Sequence, residues 1–416
     1  MAKPTDSQKD IEPGGVLSSF QLLTLYLPGF VLALGYSIAT PAIPVLAKSF
    51  DTGFGVASLV IVAYAVGELL AAVPTGFVVD RLGRRPILFA GPILTAAASC
   101  MTALAHSFPE LLLYRFIGGI ANEMWRQARL AIIADVSKTR QRGRQMSGMV
   151  GTEGAGRLLG PALGGLLATW SLRLPFFAHG ALALLAIVPS FFMMRESAPG
   201  QRAASDRKDE DRLSTRALLA MMLDRRYRGF FTAQFFASMT RGVLWGGTLL
   251  LYVTYAYGAG AQLLGWLATA SSIIGIPITL LSGYSMDRFG RKTTMVPGFV
   301  LIFLGLVYLA SSAQWQWSLA VFIGGFVWLQ CASSLTSGSM QVLGSDMAPA
   351  VARGRFFGFW RLIGQIAGLI SPALFALVAE RVSYSAAFAF FAICSLATAA
   401  LLAFSVRETV GPGKLQ

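Results

Sequence analysis

The chain of 416 residues is 55% hydrophobic and only 13% charged, with a mean hydropathy of +0.62, which excludes an ordinary soluble domain with a solvated surface. Its formal net charge is +14, and the positions of the basic residues decide whether this charge marks a nucleic-acid partner or a membrane topology. The three cysteines, Cys100, Cys331 and Cys394, fall inside apolar stretches, so neither a disulfide framework nor a metal cluster is predicted.

Continuous apolar runs follow one another along the chain, each close to the roughly 20 residues that a helix needs to cross a bilayer. They lack the alternation of an outer-membrane barrel, so an all-α membrane protein is predicted. Residues 1–21 are expected to be a retained tail, because the first run is too long for a signal-peptide core. The twelve predicted spans are residues 22–46, 55–79, 87–105, 109–134, 147–168, 174–194, 229–256, 261–285, 294–312, 317–345, 357–379 and 384–406.

The basic residues are distributed unequally across the predicted membrane. Of the 34 Lys and Arg residues, those outside the spans lie on the side of both termini, except for Lys48, Arg173 and Arg381. This asymmetry is the positive-inside pattern. It predicts a multi-pass protein of the inner or plasma membrane with both termini in the cytoplasm, and it removes the reason to expect nucleic acid as a partner.

A charged pattern occurs twice, each time where one span ends and the next begins. It reads GFVVDRLGRRPIL at 76–88 and GYSMDRFGRKTTM at 283–295. FIGG also recurs, at 116–119 and 322–325, and Asp135 and Pro161 have counterparts in Asp346 and Pro372. A repeat of half the chain indicates a duplicated six-helix unit, and because six is even, both copies enter the membrane in the same orientation.

The duplication predicts the domain organisation. Two six-helix bundles, 22–194 and 229–406, are expected to be related by a pseudo-two-fold axis along the membrane normal. A charged cytoplasmic linker at 195–228 connects them, and a tail at 407–416 follows.

The string GFVVDRLGRRP fully matches the signature of the major facilitator superfamily between its second and third helices, and the twelve spans extend the resemblance over the whole chain. The chain resembles in particular the twelve-helix drug/proton antiporters of that family. The resemblance implies two bundles that alternate between inward and outward openings. It also implies a cytoplasmic gating network at Gly76, Asp80, Arg81, Gly83, Arg84, Arg85 and Asp135, with a second copy of the motif at Asp287, Arg288, Gly290 and Arg291.

The fourth span, LLLYRFIGGIANEMWRQARLAII, carries polar residues at helical spacing. At about 100° per residue, Arg115, Asn122, Arg126 and Arg129 fall within one stripe, which must face protein or water rather than lipid. Arg115 followed by two glycines is similar to the family's fourth-helix motif. In the family, the arginine of that motif is associated with proton coupling.

The fifth span contains GAGRLLGPALGG, which is similar to the antiporter motif common in proton-coupled exporters of the family. Small residues four apart let helices approach closely, and a proline weakens the helix locally, so plain packing is the alternative interpretation. The motif residues are Gly156, Arg157, Gly160, Pro161, Gly164 and Gly165.

Three acids lie inside the spans, all in the first half: Glu68, Glu123 and Glu153. An ionisable residue at the membrane centre costs roughly 2.5 to 3.5 kcal/mol unless it is paired or hydrated. Spacing predicts intrahelical ion pairs of Glu123 with Arg126 and of Glu153 with Arg157, whereas Glu68 has no partner on its own helix. With Arg115, the three acids are the predicted proton-coupling residues.

Polar and aromatic residues of the fourth, seventh and tenth spans are candidates for a substrate cavity, although packing is the alternative for the aromatic ones. The candidates are Asn122, Arg126, Arg241, Trp245, Tyr252, Trp328 and Gln330.

The sequence contains neither a nucleotide-binding P-loop nor a catalytic or metal set that converges in the spans, so no enzyme, cofactor or ATP-driven pump is expected. We predict a monomeric secondary transporter that uses a proton gradient to export small amphiphilic compounds or drugs. The alternative is a carrier of an anionic metabolite, lipid or siderophore, because six arginines inside spans outnumber three acids. A receptor on this scaffold would require an additional soluble domain, for which the linker is too short.

Overall fold

The fold is described by a computed structural model that covers residues 26–136, 142–189, 224–245, 247–348, 353–406 and 408. All regular secondary structure in these residues is helical. The predicted tail at 1–21, most of the linker at 195–228 and nearly all of 407–416 lie outside the described residues.

The helices fall into two groups along the chain. The first group is α1 (Leu27–Ala39), α2 (Ala42–Lys48), α3 (Phe54–Leu82), α4 (Arg84–Leu104), α5 (Phe108–Val136), α6 (Arg142–Trp170) and α7 (Leu174–Leu185). The second group is α8 (Arg225–Trp245), α9 (Thr248–Tyr257), α10 (Ala261–Phe289), α11 (Arg291–Gln314), α12 (Leu319–Leu335), α13 (Ser339–Met347), α14 (Arg353–Arg381) and α15 (Tyr384–Ser405).

Eight segments of the described chain are helices long and apolar enough to cross a membrane, with α1–α2 and α12–α13 each forming one segment. The apolar helices at Leu174–Pro189 and Thr248–Tyr257 are shorter. Helices α5 and α6 are 29 residues long, but charged residues lower their hydropathy. A membrane-spanning helical protein is therefore supported, and the number twelve stays a prediction.

In the described part of the chain, the first, seventh and tenth predicted spans are each broken into two helices. The first is interrupted at Thr40 and Pro41, where the proline has no N–H to continue the ladder. The seventh and tenth are interrupted at Gly247 and Gly338, with φ of 84° and 72°. These left-handed conformations suit glycine and end a right-handed helix.

Both copies of the charged motif form a tight turn between two helices. Gly83 between α3 and α4 has φ 90°, and Gly290 between α10 and α11 has φ 107°. We call the end of the molecule that carries these turns the motif end. The opposite end, where α2 leads into α3, α9 into α10 and α14 into α15, is called the far end.

The two groups repeat the same helix pairs. In the first, α5 packs on α3 and α4, α7 packs on α1 and α4, and α1 packs on α6. In the second, α12 packs on α10 and α11, α15 packs on α8 and α11, and α8 packs on α14. Between the groups, α6 packs on α10 and α3 packs on α14.

The buried core and the apolar surface occupy different helix faces. Phe322, Phe388 and Phe391 are fully buried in the second group, whereas Phe77 on α3 and Leu280 on α10 are 70% and 73% exposed. Exposed apolar residues of this size on long helices are what a lipid-facing surface requires.

The predicted antiporter motif forms a packing surface on α6. Gly156 and Gly160 lie against the backbone of α1, and an added Cβ at Gly164 would overlap the carbonyl oxygen of Ile38. An added Cβ at Gly165 would lie 2.9 Å from the carbonyl oxygen of Ala261 on α10. The motif glycines therefore bring α6 close to both its own group and the other one.

Gly164→Ala is expected to destabilise the protein by about 1 to 3 kcal/mol, because α1 must move away from α6. Thermal unfolding of the purified protein in detergent measures the loss. Gly154→Ala on the same helix is the control, since an added Cβ there meets nothing within 4 Å. Equal unfolding temperatures for the two variants would contradict the packing role.

Candidate functional site

Helices α3 and α5 approach each other so closely that polar groups on both come together. An added Cβ at Gly67 would overlap the carbonyl oxygen of Phe116, and one at Gly119 would overlap that of Tyr64. One residue after Gly67, Glu68 accepts a hydrogen bond from Asn122 Nδ2 at 2.7 Å. Glu68 has no predicted partner on its own helix, and its partner in the structure is Asn122 on α5, a residue of the polar stripe predicted for the fourth span.

Glu123 lies at the centre of this contact and is only 1% exposed. Its Oε2 accepts from Arg126 Nε at 2.8 Å, which confirms the predicted i, i+3 ion pair. Its Oε1 accepts from Gln127 Nε2 at 2.8 Å, and the same amide donates to the carbonyl oxygen of Ala72 on α3. Both carboxylate oxygens are therefore in use.

A second ion pair joins α5 to α6. Arg129, 2% exposed, pairs with Glu153, whose other oxygen accepts from Arg157 at 3.4 Å. The predicted pair of Glu153 with Arg157 is present, but its arginine is largely exposed and the closer partner is Arg129. Within the described chain, Nε and Nη1 of Arg129 have no hydrogen-bond partner, although the guanidinium lies over the ring of Trp125.

Arg115 lies apart from these ion pairs. Its guanidinium lies 4.4 Å from the ring centroid of Tyr64, and its Nε has no hydrogen-bond partner among the described residues. Tyr64 also contacts Tyr36, which packs against His179. The polar residues of α5 therefore belong to separate clusters. The aromatic cluster consists of Arg115, Tyr64, Tyr36 and His179. The carboxylate cluster consists of Glu68, Asn122, Glu123, Arg126 and Gln127.

An open cavity of about 290 Å³ lies between the two groups of helices, on the motif-end side of the carboxylate cluster. The first group contributes residues of α3 and α5, and the second contributes residues of α14. The lining residues are Ala72, Glu123, Gln127, Leu130, Arg361 and Gln365.

At the far end, the two groups are in direct contact. Lys48 Nζ donates to the carbonyl oxygen of Thr254 at 2.8 Å, and Tyr255 Oη donates to that of Thr52 at 2.9 Å. The Gly55 N–H, at the start of α3, donates to Glu380 Oε1 at 2.7 Å. A carboxylate stabilises the N-terminus of a helix, so Glu380 of α14 contributes to holding α3 in place.

Aromatic rings reinforce this far-end contact. Phe54 of the first group packs against Tyr255, Phe375 and Tyr384 of the second, with centroid distances of 5.8, 6.0 and 5.1 Å. The groups are thus joined at the far end and enclose a polar cavity nearer the motif end.

The second motif copy forms a charge network at the motif end. Arg291 donates to Asp287 at 2.6 Å and to Asp346 of α13 at 3.2 Å. The carboxylate of Glu408 accepts the N–H groups of Arg291 and Lys292, the first residues of α11. Arg288 donates instead to Tyr284 Oη.

The first motif copy is described less completely. The side chains of Asp80 and Asp135 lie outside the part that the structure describes, so their predicted contact stays a prediction. Arg81 is exposed, and Arg85 lies over the ring of Phe89. Gly76, one turn before Asp80, faces Gln127 of the carboxylate cluster.

The candidates of the second group do not line the described cavity. Arg241 donates to the carbonyl oxygen of Thr336, at the break between α12 and α13. Tyr252 is 2% exposed within an aromatic cluster that includes Phe322 and Phe388.

The remaining candidates of the second group lie near the helix breaks or on outer faces. Trp245 is 57% exposed at the end of α8. The indole of Trp328 donates to the carbonyl oxygen of Leu301 on α11, and Gln330 contacts Ser333 of its own helix.

The family model described as Major Facilitator Superfamily matches residues 25–228 and 230–416, nearly the whole chain. The chain belongs to this superfamily.

Relatives within the superfamily include two bacterial proteins. The chain is 31% identical over 176 residues to the quinolone resistance protein NorA of Staphylococcus aureus, which covers 42% of this chain and 45% of NorA. It is 24% identical over 289 residues to multidrug resistance protein 2 of Bacillus subtilis, covering 67% and 70%. The first match thus spans less than half of NorA.

Solved structures of superfamily members have the same fold. A D-xylose-proton symporter superposes with a TM-score of 0.72 at 18% identity, over 94% of this chain and 98% of that one. The inward open conformation of the xylose transporter XylE from E. coli gives a TM-score of 0.71 at 18% identity, over 94% and 97%.

The site residues predicted from the sequence include only part of the lining of the cavity between the two groups of helices. Gln127, Ala72, Leu130 and Gln365 are not among them, and Arg361 counts only as one of the six arginines inside predicted spans. The spacing i, i+4 of Arg361 and Gln365 is the signal that could have revealed them, since two polar residues one turn apart on an apolar helix share a face.

Glu153→Gln is expected to destabilise the protein by roughly 3 kcal/mol, because it leaves the buried guanidinium of Arg129 without a carboxylate. Arg157→Gln removes the exposed partner of the same carboxylate and should cost under about 1 kcal/mol. Thermal unfolding in detergent measures both. A smaller loss for Glu153→Gln than for Arg157→Gln would contradict the assignment of Arg129 as the main partner.

Proposed function

We propose that this protein is a proton-coupled exporter of small amphiphilic compounds or drugs that works by alternating access. The observation that carries the proposal is the cluster of Glu68 and Glu123 on α3 and α5, at the edge of a cavity between the two groups of helices. A buried acid beside a cavity is a candidate proton carrier, because the local charge changes when it binds or releases a proton.

The proposed architecture has twelve membrane spans in two six-helix bundles, related by a pseudo-two-fold axis along the membrane normal. The recurrence of equivalent helix pairs in both groups supports it, as do the paired turns at Gly83 and Gly290. The charge asymmetry of the sequence supports placing the motif end and both termini in the cytoplasm.

In this orientation the arrangement corresponds to an inward-facing state. The far-end contacts around Phe54 and Glu380 separate the cavity from the outside, and the cavity lies on the cytoplasmic side of the carboxylate cluster. Export requires the opposite state, in which the far-end contacts separate and the two groups of helices approach each other at the motif end. The motif network around Asp287 and Arg291 lies at the end that would close, and in this arrangement its described contacts join parts of the second group alone.

Proton coupling follows if a proton and a cationic group of the substrate compete for the same carboxylates. Proton binding to Glu68 or Glu123 from outside would then release the substrate, and proton loss to the cytoplasm would restore its site. The names of NorA and of multidrug resistance protein 2 support drugs as substrates, and the name of the D-xylose-proton symporter supports proton coupling in this fold.

A carrier of an anionic metabolite, lipid or siderophore is the second candidate. The observation in its favour is the number of arginines inside the predicted spans relative to acids. Arg241 is the residue of the second group that this candidate depends on, since it has one carbonyl contact, at 3.4 Å, and no ion pair among the described residues.

Glu68→Gln and Glu123→Gln are each expected to abolish pH-driven transport while leaving the protein folded, because Gln keeps the size of the side chain and one acceptor oxygen but cannot carry a proton. The measurement uses norfloxacin, a fluorescent quinolone. Its transport into proteoliposomes with an imposed pH gradient is followed as quenching of its fluorescence. Glu110→Gln is the control, since this exposed acid contacts His106 at the far end. Full pH-driven transport by both variants would remove these acids from the mechanism.

Glu380→Ala is expected to shift the protein toward the state that is open at the far end, because α3 loses its carboxylate cap. Spin labels at Ser49 and Ala256, on opposite sides of the far-end contact, would report a larger population at long distance by double electron–electron resonance. Glu110→Ala, which removes an acid at the same end without breaking a contact between the groups, should leave the distances unchanged. An unchanged distribution in Glu380→Ala would contradict the role of this contact.

A further inference from the structure

One arginine of the cavity is not neutralised by the protein. Arg361 on α14 lines the cavity but makes no hydrogen bond or ion pair with the described residues, and its side chain is exposed. An arginine inside a membrane span is tolerated only where it is paired or hydrated. Because Arg361 faces an open cavity and has no ion pair in the described chain, its guanidinium is left to bind water or an anion.

The nearest acids already have other partners. Glu123 uses Oε2 for Arg126 and Oε1 for Gln127, and Glu68 accepts from Asn122. Arg361 interacts with both carboxylates only at longer range. The guanidinium of Arg361 therefore places a positive charge on the cavity wall formed by the second group, and no ion pair of the described residues neutralises it.

The polar face of α14 also points to a binding role. Gln365 lies one turn beyond Arg361, lines the same cavity and has no hydrogen bond to the described residues. The exposed apolar residues of this helix, Leu362, Ile366 and Ile370, lie about 60° to 180° around the helix from the two polar positions. The two polar groups therefore share the cavity face, and the apolar residues form a separate face suited to lipid.

We propose that Arg361 and Gln365 form a subsite for the acidic group of an amphiphilic substrate, a carboxylate joined to an apolar body. A guanidinium binds a carboxylate through two parallel hydrogen bonds, and the amide of Gln365 supplies a further donor. Ala72 and Leu130 on the opposite wall provide apolar contact for the body of the molecule. The inference rests on the proposed function, because it names the substrate class of the same cavity.

Isothermal titration calorimetry of the purified protein with naphthalene-2-carboxylate and naphthalene-2-carboxamide tests this subsite. The two probes have nearly the same shape and differ in charge. The wild type should bind the carboxylate at least tenfold more tightly than the amide. Arg361→Gln should remove this preference, Arg361→Lys should retain part of it, and Arg381→Gln, at the far end of the same helix, should leave it intact.

Equal affinity of the wild type for the two probes, absence of binding of both, or a preference that persists in Arg361→Gln would overturn the proposal. Loss of the preference in Arg381→Gln as well would also overturn it, because the effect would then be one of overall charge. Thermal unfolding verifies that each variant is folded. If Arg361→Gln does not fold, Gln365→Leu takes its place and should reduce the preference without removing a charge.

The result is separable from that of the proposed function. A wild type that moves norfloxacin in response to a pH gradient but binds both naphthalene probes equally refutes the subsite and leaves the exporter intact. A protein that shows no pH-driven transport but has a carboxylate preference that depends on Arg361 supports the subsite and refutes proton coupling.

Discussion

The cost of placing a charge in a lipid environment governs the arrangement of the first group of helices. Glu68, Glu123 and Glu153 each meet a donor within hydrogen-bonding distance, and for Glu68 and Glu153 that partner lies on another helix. Such contacts require helices to be very close, which the glycines at positions 67 and 119 permit between α3 and α5. The hydrogen bond between Glu68 and Asn122 therefore depends on these small residues, since it could not form between helices held apart by larger side chains.

The second group uses different means. Its buried core is dominated by aromatic rings, and the acids of its motif copy lie at the motif end rather than inside the bundle. Breaks at Gly247 and Gly338 interrupt its seventh and tenth spans. The duplication thus provides two similar frameworks, of which the first holds the buried acids and the second contributes Arg361 to the opposite wall of the cavity.

Local features of the sequence were sufficient where a contact depends on residues near one another in the chain. The turns at Gly83 and Gly290 follow from the motif, and the pair of Glu123 with Arg126 follows from helical spacing. The pairing of Arg129 with Glu153 could not be predicted, because it depends on how α5 is rotated against α6. Similarly, the helix break at Gly247 is indistinguishable in the sequence from the many glycines inside continuous helices, and Arg361 enters the cavity only through contacts between the two groups.

In the proposed mechanism, movement of substrate is tied to movement of protons through the carboxylate cluster. Proteoliposomes that contain the wild-type protein and a trapped pH-sensitive dye, with no initial pH gradient, report on this coupling. A concentration gradient of norfloxacin should drive protons in the opposite direction, at a constant ratio to the norfloxacin moved. Transport of norfloxacin with no change in internal pH would contradict proton coupling.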